Sequence, residues 1–275
     1  MTKPQPAPSD EGSVGALLQH WRRARHLSQL ELALEAEVSS RHLCFIETGR
    51  ASPSREMVLL LASVLDLPLR ERNTLLLAAG YAPIYLDTKL EGPELAAVRG
   101  ALDAILRQQE PFPAVVMNRH WNILRTNDAA GRFFGFLLGE RAATAPSNVL
   151  RLMFDPGAVR PFVANWEAVA AALIQRVRRE CIGGIADART KALLAELLAY
   201  PGVPRSLHQA SPSTPMAPVV PVSFVKGGAR FDFFSTVTTL GTPQDVAVQE
   251  IRIECFFPAD PATERAARAM AATGS

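Results

Sequence analysis

The sequence predicts an α+β chain, with an all-α five-helix domain at the amino-terminal end followed by an α+β domain with an antiparallel sheet. Three observations predict it. Apolar residues recur at helical spacing, between capping and stop residues, over residues 13–82. Beyond residue 111 the pattern changes to short alternating runs. The last third holds three strand-like runs, two of them divided by Gly227-Gly228. At 275 residues and 48% hydrophobic content the chain can fill two cores.

Residues 1–12, MTKPQPAPSDEG, are polar and Pro-rich and read as a disordered tail; they have neither the basic start nor the apolar centre of a signal peptide. A first helix from Ser13 carries Val14, Leu17, Leu18, Trp21 and Ala24 inward and Arg22, Arg23 and Arg25 toward solvent. Ser28-x-x-Glu31 is a capping box, which starts the second helix at Gln29, with Leu30, Ala33 and Leu34 as its apolar stripe. After Glu37-Val38, Ser39 caps a third helix with Leu43 and Ile46 inward and Ser40, Arg41, Cys44 and Phe45 outward, His42 beside them. Pro53-Ser54 starts a fourth, lined by Met57, Leu60, Leu61 and Leu65, and a fifth runs from Leu69 to Ala79 until Gly80 stops it. Together these make one domain over residues 13–82.

Two short helices joined by a tight turn, the second with an exposed polar face, form the geometry that sets a recognition helix in the DNA major groove. The run SQLELALEAEVSSRHLCFIETGRASPSREMVLLLASVLDL resembles the helix-turn-helix of XRE (phage-repressor-like) regulators in its Ser-Gln start, Leu-Ala pair, Val-Ser turn, Ile-Glu-x-Gly-Arg ending and Pro-Ser before the next helix. Glu37 stands where that family usually has glycine in a positive-φ turn, so a small strain is expected there. The motif implies a double-stranded DNA operator and a homodimer. Gln29, at a helix start, is placed for phosphate, and Ser39 and Ser40 for phosphate or base edges. Arg41 is the candidate base reader, because a guanidinium can bond guanine O6 and N7 together. Phe45 either meets a thymine methyl or covers the junction with the fourth helix, and Arg50 holds phosphate. Lys and Arg balance Asp and Glu at nine each over residues 1–82, so binding rests on where charge is placed.

Residues 83–110 read as a linker and connecting helix, the helix opening at Gly92-Pro93. The second domain spans 111–260. Residues 114–117 and 121–124, separated by Asn118-Arg119-His120, read as a hairpin; helices follow over 129–138, 163–179 and 188–200; residues 209–218 form a Ser/Pro loop; strands cover 219–225, 229–240 and 246–257. Residues 261–275 remain as a carboxy-terminal tail. The string Arg119-His120-Trp121-Asn122-Ile123-Leu124-Arg125-Thr126-Asn127, with Asn148 to Phe154 and the Trp166 helix, resembles the ligand-binding domain of MmyB-like transcription regulators. That resemblance implies a PAS-like fold and a buried cavity for a small apolar ligand, with fatty acyl chains as the family expectation. Its candidate contacts are Trp121, Asn127, Phe133, Asn148, Phe154 and Trp166.

Twelve of the thirteen phenylalanines lie between Phe112 and Phe257, an aromatic interior that serves equally as a plain core or as a pocket lining. Asn127 and Asn148, if buried, must be hydrogen-bonded, and each can tie strands or a helix start together without touching a ligand. Cys44, Cys181 and Cys255 show no metal-ligand spacing and suit a reducing cytoplasm; no apolar run is long enough to cross a membrane. The chain has no G-x-S-x-G elbow, H-E-x-x-H, P-loop or G-x-G-x-x-G, and its five histidines are scattered, so neither an enzyme nor a metal or cofactor is expected. The sequence reading is a cytoplasmic, ligand-controlled DNA-binding regulator. The alternative is a constitutive DNA-bound scaffold whose second domain dimerises or recruits a protein.

Overall fold

The structure, a computed structural model, describes residues 12–182, 188–209 and 221–273. It divides into two compact units, one running from the amino-terminal end to Asp87 and one holding most of Thr88 to Ser275.

The first unit contains α1 (Val14–Ala24), α2 (Gln29–Glu35), α3 (Ser40–Glu47), α4 (Arg55–Val64) and α5 (Leu69–Ala78). Ser13, Ser28, Ser39 and Ser54 each accept a hydrogen bond from the N–H three residues on, and the Ser28–Glu31 capping box is complete. Leu18, Trp21, Leu32, Leu43, Ile46, Leu61 and Leu75 fill the core. At Gly15 a Cβ would come within 2.5 Å of the Ile46 carbonyl, so this glycine lets α1 approach the end of α3. Glu37 has φ +54°, the left-handed turn expected of it, and Gly49 at φ +70° ends α3.

Three expectations here need correction. Leu30 and Leu34 are 59% and 68% exposed, and α2 instead buries Leu32, Ala33 and Ala36. The inward stripe is Gln29, Leu32, Ala33 and Ala36, at i, i+3, i+4 and i+7; because a polar residue begins it, apolarity alone selects the wrong phase. Leu60 is likewise exposed, with Val58, Leu61 and Ala62 facing inward on α4. Arg22, expected in solvent, is buried beside Glu47.

The second unit runs α6 (Ala96–Gln108), β1 (Ala114–Met117), β2 (Ile123–Thr126), α7 (Asp128–Leu138), α8 (Val149–Phe154), α9 (Trp166–Ile182), α10 (Ala188–Ala199), α11 (Ser206–Gln209), β3 (Val222–Lys226), β4 (Ala229–Thr238), α12 (Val246–Glu250), β5 (Arg252–Pro258) and α13 (Pro261–Thr273). The five strands form one antiparallel sheet in the order β2-β1-β5-β4-β3. Ala114, Val116, Ile253 and Cys255 pack with Leu102 and Leu106 of α6. Met117, Phe224, Phe231 and Phe233 join the larger core with residues of α7 to α10.

Residues 246–250, expected as the start of a strand, are helical. The pairing of β5 ends at Arg252 opposite Met117 and at Ile253 opposite Thr238, so the residues before it have no ladder partner and satisfy their backbone locally. The expected tail from residue 261 is α13 over its described part. Asp260 Oδ1 accepts from the N–H groups of Ala262 and Thr263 at 2.8 Å, and the Ala-rich helix buries Thr263 and Ala267. The expected amino-terminal tail, apart from Gly12, and nearly all of the Ser/Pro loop lie outside the described residues.

Candidate functional site

On the first unit, α3 is fixed from behind and open in front. Glu47, at its carboxy-terminal end, receives Arg22 Nε at 2.7 Å on one oxygen, and Arg22 Nη2 at 2.8 Å and Gln29 Nε2 at 2.8 Å on the other. The hydrogen bonds it donates to Glu47 hold the Arg22 guanidinium above its ordinary pKa. One carboxylate thus joins α1, α2 and α3. The solvent side of α3 carries Ser40, Arg41 and His42, all exposed, with Cys44 and Phe45 half-buried. The Arg41 guanidinium lies 5.4 Å from the Phe45 ring centre, one turn away. Ser39 uses its hydroxyl to cap α3, accepting from the His42 N–H. The side-chain nitrogen of Gln29 gives one of its two hydrogens to Glu47, and its backbone N–H lies at the start of α2. Arg50 is exposed just past the end of α3.

In the second unit the six expected residues fall into separate groups. Asn127 caps α7 and closes the start of β1: its carbonyl oxygen accepts from Ala130 and Ala114 N–H at 3.0 and 2.9 Å, and its amide donates to the Phe112 carbonyl at 2.8 Å. Asn148 caps α8, accepting from Leu150 and Arg151 N–H at 3.1 and 3.2 Å and donating to the His120 carbonyl and Asn122 Oδ1 at 2.8 and 2.9 Å. Both are structural ties. Phe154 meets Trp166 edge-on at 4.9 Å, with the Arg160 guanidinium 4.7 Å over the same indole. Phe133 is elsewhere, edge-on to Phe224, Phe231 and Phe233 at 5.2–5.4 Å. Beside it a crevice of about 10 Å³, room for about one water, is lined by Pro111, Pro113, Phe133, Phe233, Ala267 and Met270 together with Ala129 and Arg132.

Trp121 sits in a third group, in the loop between β1 and β2. Its φ is +66°, a left-handed conformation rare for a bulky residue, and Asn118 Oδ1 braces that loop by accepting from the N–H groups of His120 and Asn122. The turn sends the indole inward, where Nε1 donates to Glu180 at 3.0 Å and the ring faces Arg176 at 4.5 Å and Arg252 at 5.6 Å. Arg252 in turn donates to the other Glu180 oxygen at 2.6 Å. Glu254, next on the same face of β5, is buried and accepts from Ser235 Oγ at 2.6 Å; burial pushes its carboxyl above the usual range, against the pull of Ser235 and Arg176. Burial likewise draws the Arg176 guanidinium down, against the attraction of Glu254 and Glu180.

Sequence reasoning missed Arg176, Glu180, Arg252 and Glu254. The signals were an i, i+4 pair on α9 and an i, i+2 pair on β5, both of which ordinarily mark a solvated face.

The family model described as the MmyB-like transcription regulator ligand binding domain matches residues 98–270, and a helix-turn-helix model matches residues 18–72. The chain belongs to the MmyB-like transcription regulators. Both matches are to regulatory rather than enzyme families. No curated protein matches this MmyB-like regulator. The solved structure of an RNA-binding Light-Oxygen-Voltage receptor is similar at 14% identity, over 94% of this chain and 62% of that one, with a TM-score of 0.25, at which the likeness carries no argument. This chain therefore spans less than two thirds of that receptor chain's length. Among the described residues of the regulator, no helix is long and apolar enough to cross a membrane and no group of three or more His, Cys, Asp or Glu is placed to hold a metal.

Proposed function

We propose that this MmyB-like regulator binds a specific DNA operator as a homodimer and is controlled by a small apolar ligand, of fatty-acyl type, in its second unit. One observation carries the DNA reading: α3 is anchored through Glu47 to α1 and α2, while Arg41 projects free of the unit beside Phe45. A rigid helix with one exposed, oriented guanidinium suits bidentate recognition of guanine. Ser40, Arg50 and the Gln29 backbone N–H hold phosphates around it, and these contacts fix register without reading sequence. Two such helices about 34 Å apart match a palindromic operator. The unit over residues 13–82 binds DNA; the ligand domain extends over residues 111–260, and α13 (Pro261–Thr273) adds to it what was expected as a tail.

The ligand reading rests on family membership and on the aromatic surfaces of Trp121, Phe133, Phe154 and Trp166. Asn127 and Asn148 support those surfaces by holding their loops. A ligand acts on DNA affinity through its different affinity for two arrangements of the dimer. Selection of operators from a randomised pool, followed by footprinting, tests the DNA reading: two protected half-sites one turn apart are expected, and protection without sequence preference would overturn it.

A second reading, the constitutive scaffold, is favoured by the close edge-on packing around Phe133 and the water-sized crevice beside it. Native mass spectrometry of the purified protein, with denaturing extraction, separates the two. A co-purified apolar compound supports the receptor. An empty dimer whose Tm no fatty acid raises supports the scaffold.

A further inference from the structure

Among the described residues of the first unit, two apolar groups stand open to water, and their surroundings differ in charge. Residues 73–86, NTLLLAAGYAPIYL, hold no charged side chain, in a chain of which 20% is charged. They make up the later part of α5 and the segment that follows it. Asn73 ties that segment to the helix: its carbonyl oxygen accepts from the Ile84 and Tyr85 N–H groups at 3.1 Å, and its amide donates to the Tyr85 carbonyl at 2.7 Å. Leu77 stands one turn after Asn73 on the same side of α5. Tyr85 turns in toward Arg72, and its neighbours Ile84 and Leu86 face out. Leu77 is 60% exposed, Ile84 36% and Leu86 70%, so the tie at Asn73 gathers three large apolar side chains that the unit itself does not cover.

The other group is on α2, where Leu30 and Leu34 lie exposed beside Glu31 and Glu35, and that helix has no basic residue. Two copies meeting there would set carboxylates against carboxylates, which opposes association. The patch on α5 has no such barrier. Its margin carries both signs, Arg70 at the start of α5 and Asp87 directly after Leu86, paired at 2.8 Å. A surface that meets its own copy about a two-fold axis must complement itself, and a neutral apolar patch with a margin of mixed charge does so. Contiguous apolar side chains left in water mark a contact surface, whereas scattered single ones do not. We infer that the patch of Leu77, Ile84 and Leu86 is where the DNA-binding units of two copies of this chain meet. This inference rests on the homodimer proposed above, and it names the contact between the two recognition units.

The test follows self-association of the full-length chain by sedimentation velocity over a concentration series, without DNA, so that it stands apart from operator recognition. Leu77→Asp puts like charges into the contact and is expected to weaken the dimer by at least about tenfold. Leu77→Lys is expected to do the same. Mixed in equal amounts, the two variants are expected to recover most of the lost association, because opposite charges then face each other across the axis within a Debye length. Leu30→Asp, at a position as exposed as Leu77, is expected to leave the dimer unchanged. A wild-type dimer indifferent to both Leu77 substitutions would overturn the patch and leave the homodimer standing. Weakening by both without recovery on mixing would show that Leu77 meets a different surface, which also overturns the self-contact. A wild type that stays monomeric at every concentration would overturn the homodimer and the patch with it. Should a Leu77 variant lose its cooperative melt, Leu86→Asp and Leu86→Lys replace the pair and are read in the same way.

Discussion

Arg22 on α1 and Glu47 at the end of α3 meet as a bidentate pair, Nε to Oε1 at 2.7 Å and Nη2 to Oε2 at 2.8 Å, with the Glu47 carboxylate wholly buried. Removing one partner strands the other charge out of water, which costs about 3–5 kcal/mol. Glu47→Ala is expected to lose that much in urea unfolding and to release Gln29 as well. DNA binding falls with it although Glu47 touches no DNA, because α3 loses its anchor. A variant as stable as the wild type would show that the pair has no such role.

Arg41 and Arg50 are expected to differ in kind. Arg41→Ala relaxes preference at one base position, by about 1–3 kcal/mol, whereas Arg50→Ala weakens all sequences evenly and lowers the salt slope by about one. Binding measured on an operator and its single-base variants, at several salt concentrations, distinguishes them. Equal effects of both substitutions on every sequence would remove Arg41 as the base reader.

Glu37 occupies the left-handed turn between α2 and α3 with φ +54°. A non-glycine residue there costs about 1–2 kcal/mol, and glycine loses about 0.5–1 kcal/mol more entropy on folding. Glu37→Gly is therefore expected to stabilise the first unit by about 0.5–1 kcal/mol. A rise of its thermal midpoint checks this.

Asn127 satisfies two N–H groups and a carbonyl inside the second unit. Asn127→Ala removes a helix cap and leaves buried backbone groups unpaired, together about 2–4 kcal/mol. Chemical unfolding monitored by tryptophan emission reports the loss, and a change below 1 kcal/mol would mean that water replaces the side chain.

Two carboxyls give opposite pH dependence. The hydrogen bond from Arg230 holds the Asp232 carboxyl below its ordinary range, helped by Ser223. Its contribution is present above the usual aspartate pKa and is lost as pH falls through the lower, folded value. The stability difference between wild type and Asp232→Asn is thus expected to vanish in acid. Burial raises Glu254, so its contribution is complete below the ordinary glutamate pKa and is lost as pH rises through the folded value. Glu254→Gln is expected to remove this loss, and paired melts of the variants from pH 3 to 8 show both signs.

Local chemistry was enough to read the first unit. Ser13, Ser28, Ser39 and Ser54 specify helix starts within four residues of themselves, Gly80 a stop, and Glu37 a left-handed turn, so five helices and the outward placement of Arg41 follow from the sequence by itself. The phase of α2 did not follow, because Gln29 begins the buried stripe and only its partner Glu47, 18 residues away, makes burial of an amide favourable. Arg22 was misplaced for the same reason. In the second unit the sequence determined that strands and helices alternate and that the interior is aromatic. Only the tertiary structure decided that β5 lies between β1 and β4, that residues 246–250 coil for want of partners, and that α13 closes the core. The group around Arg176 belongs to that second kind of knowledge. Its members come from the loop after β1, from α9, β4 and β5, and a charge reads as solvated until the chain folds around it and removes the water.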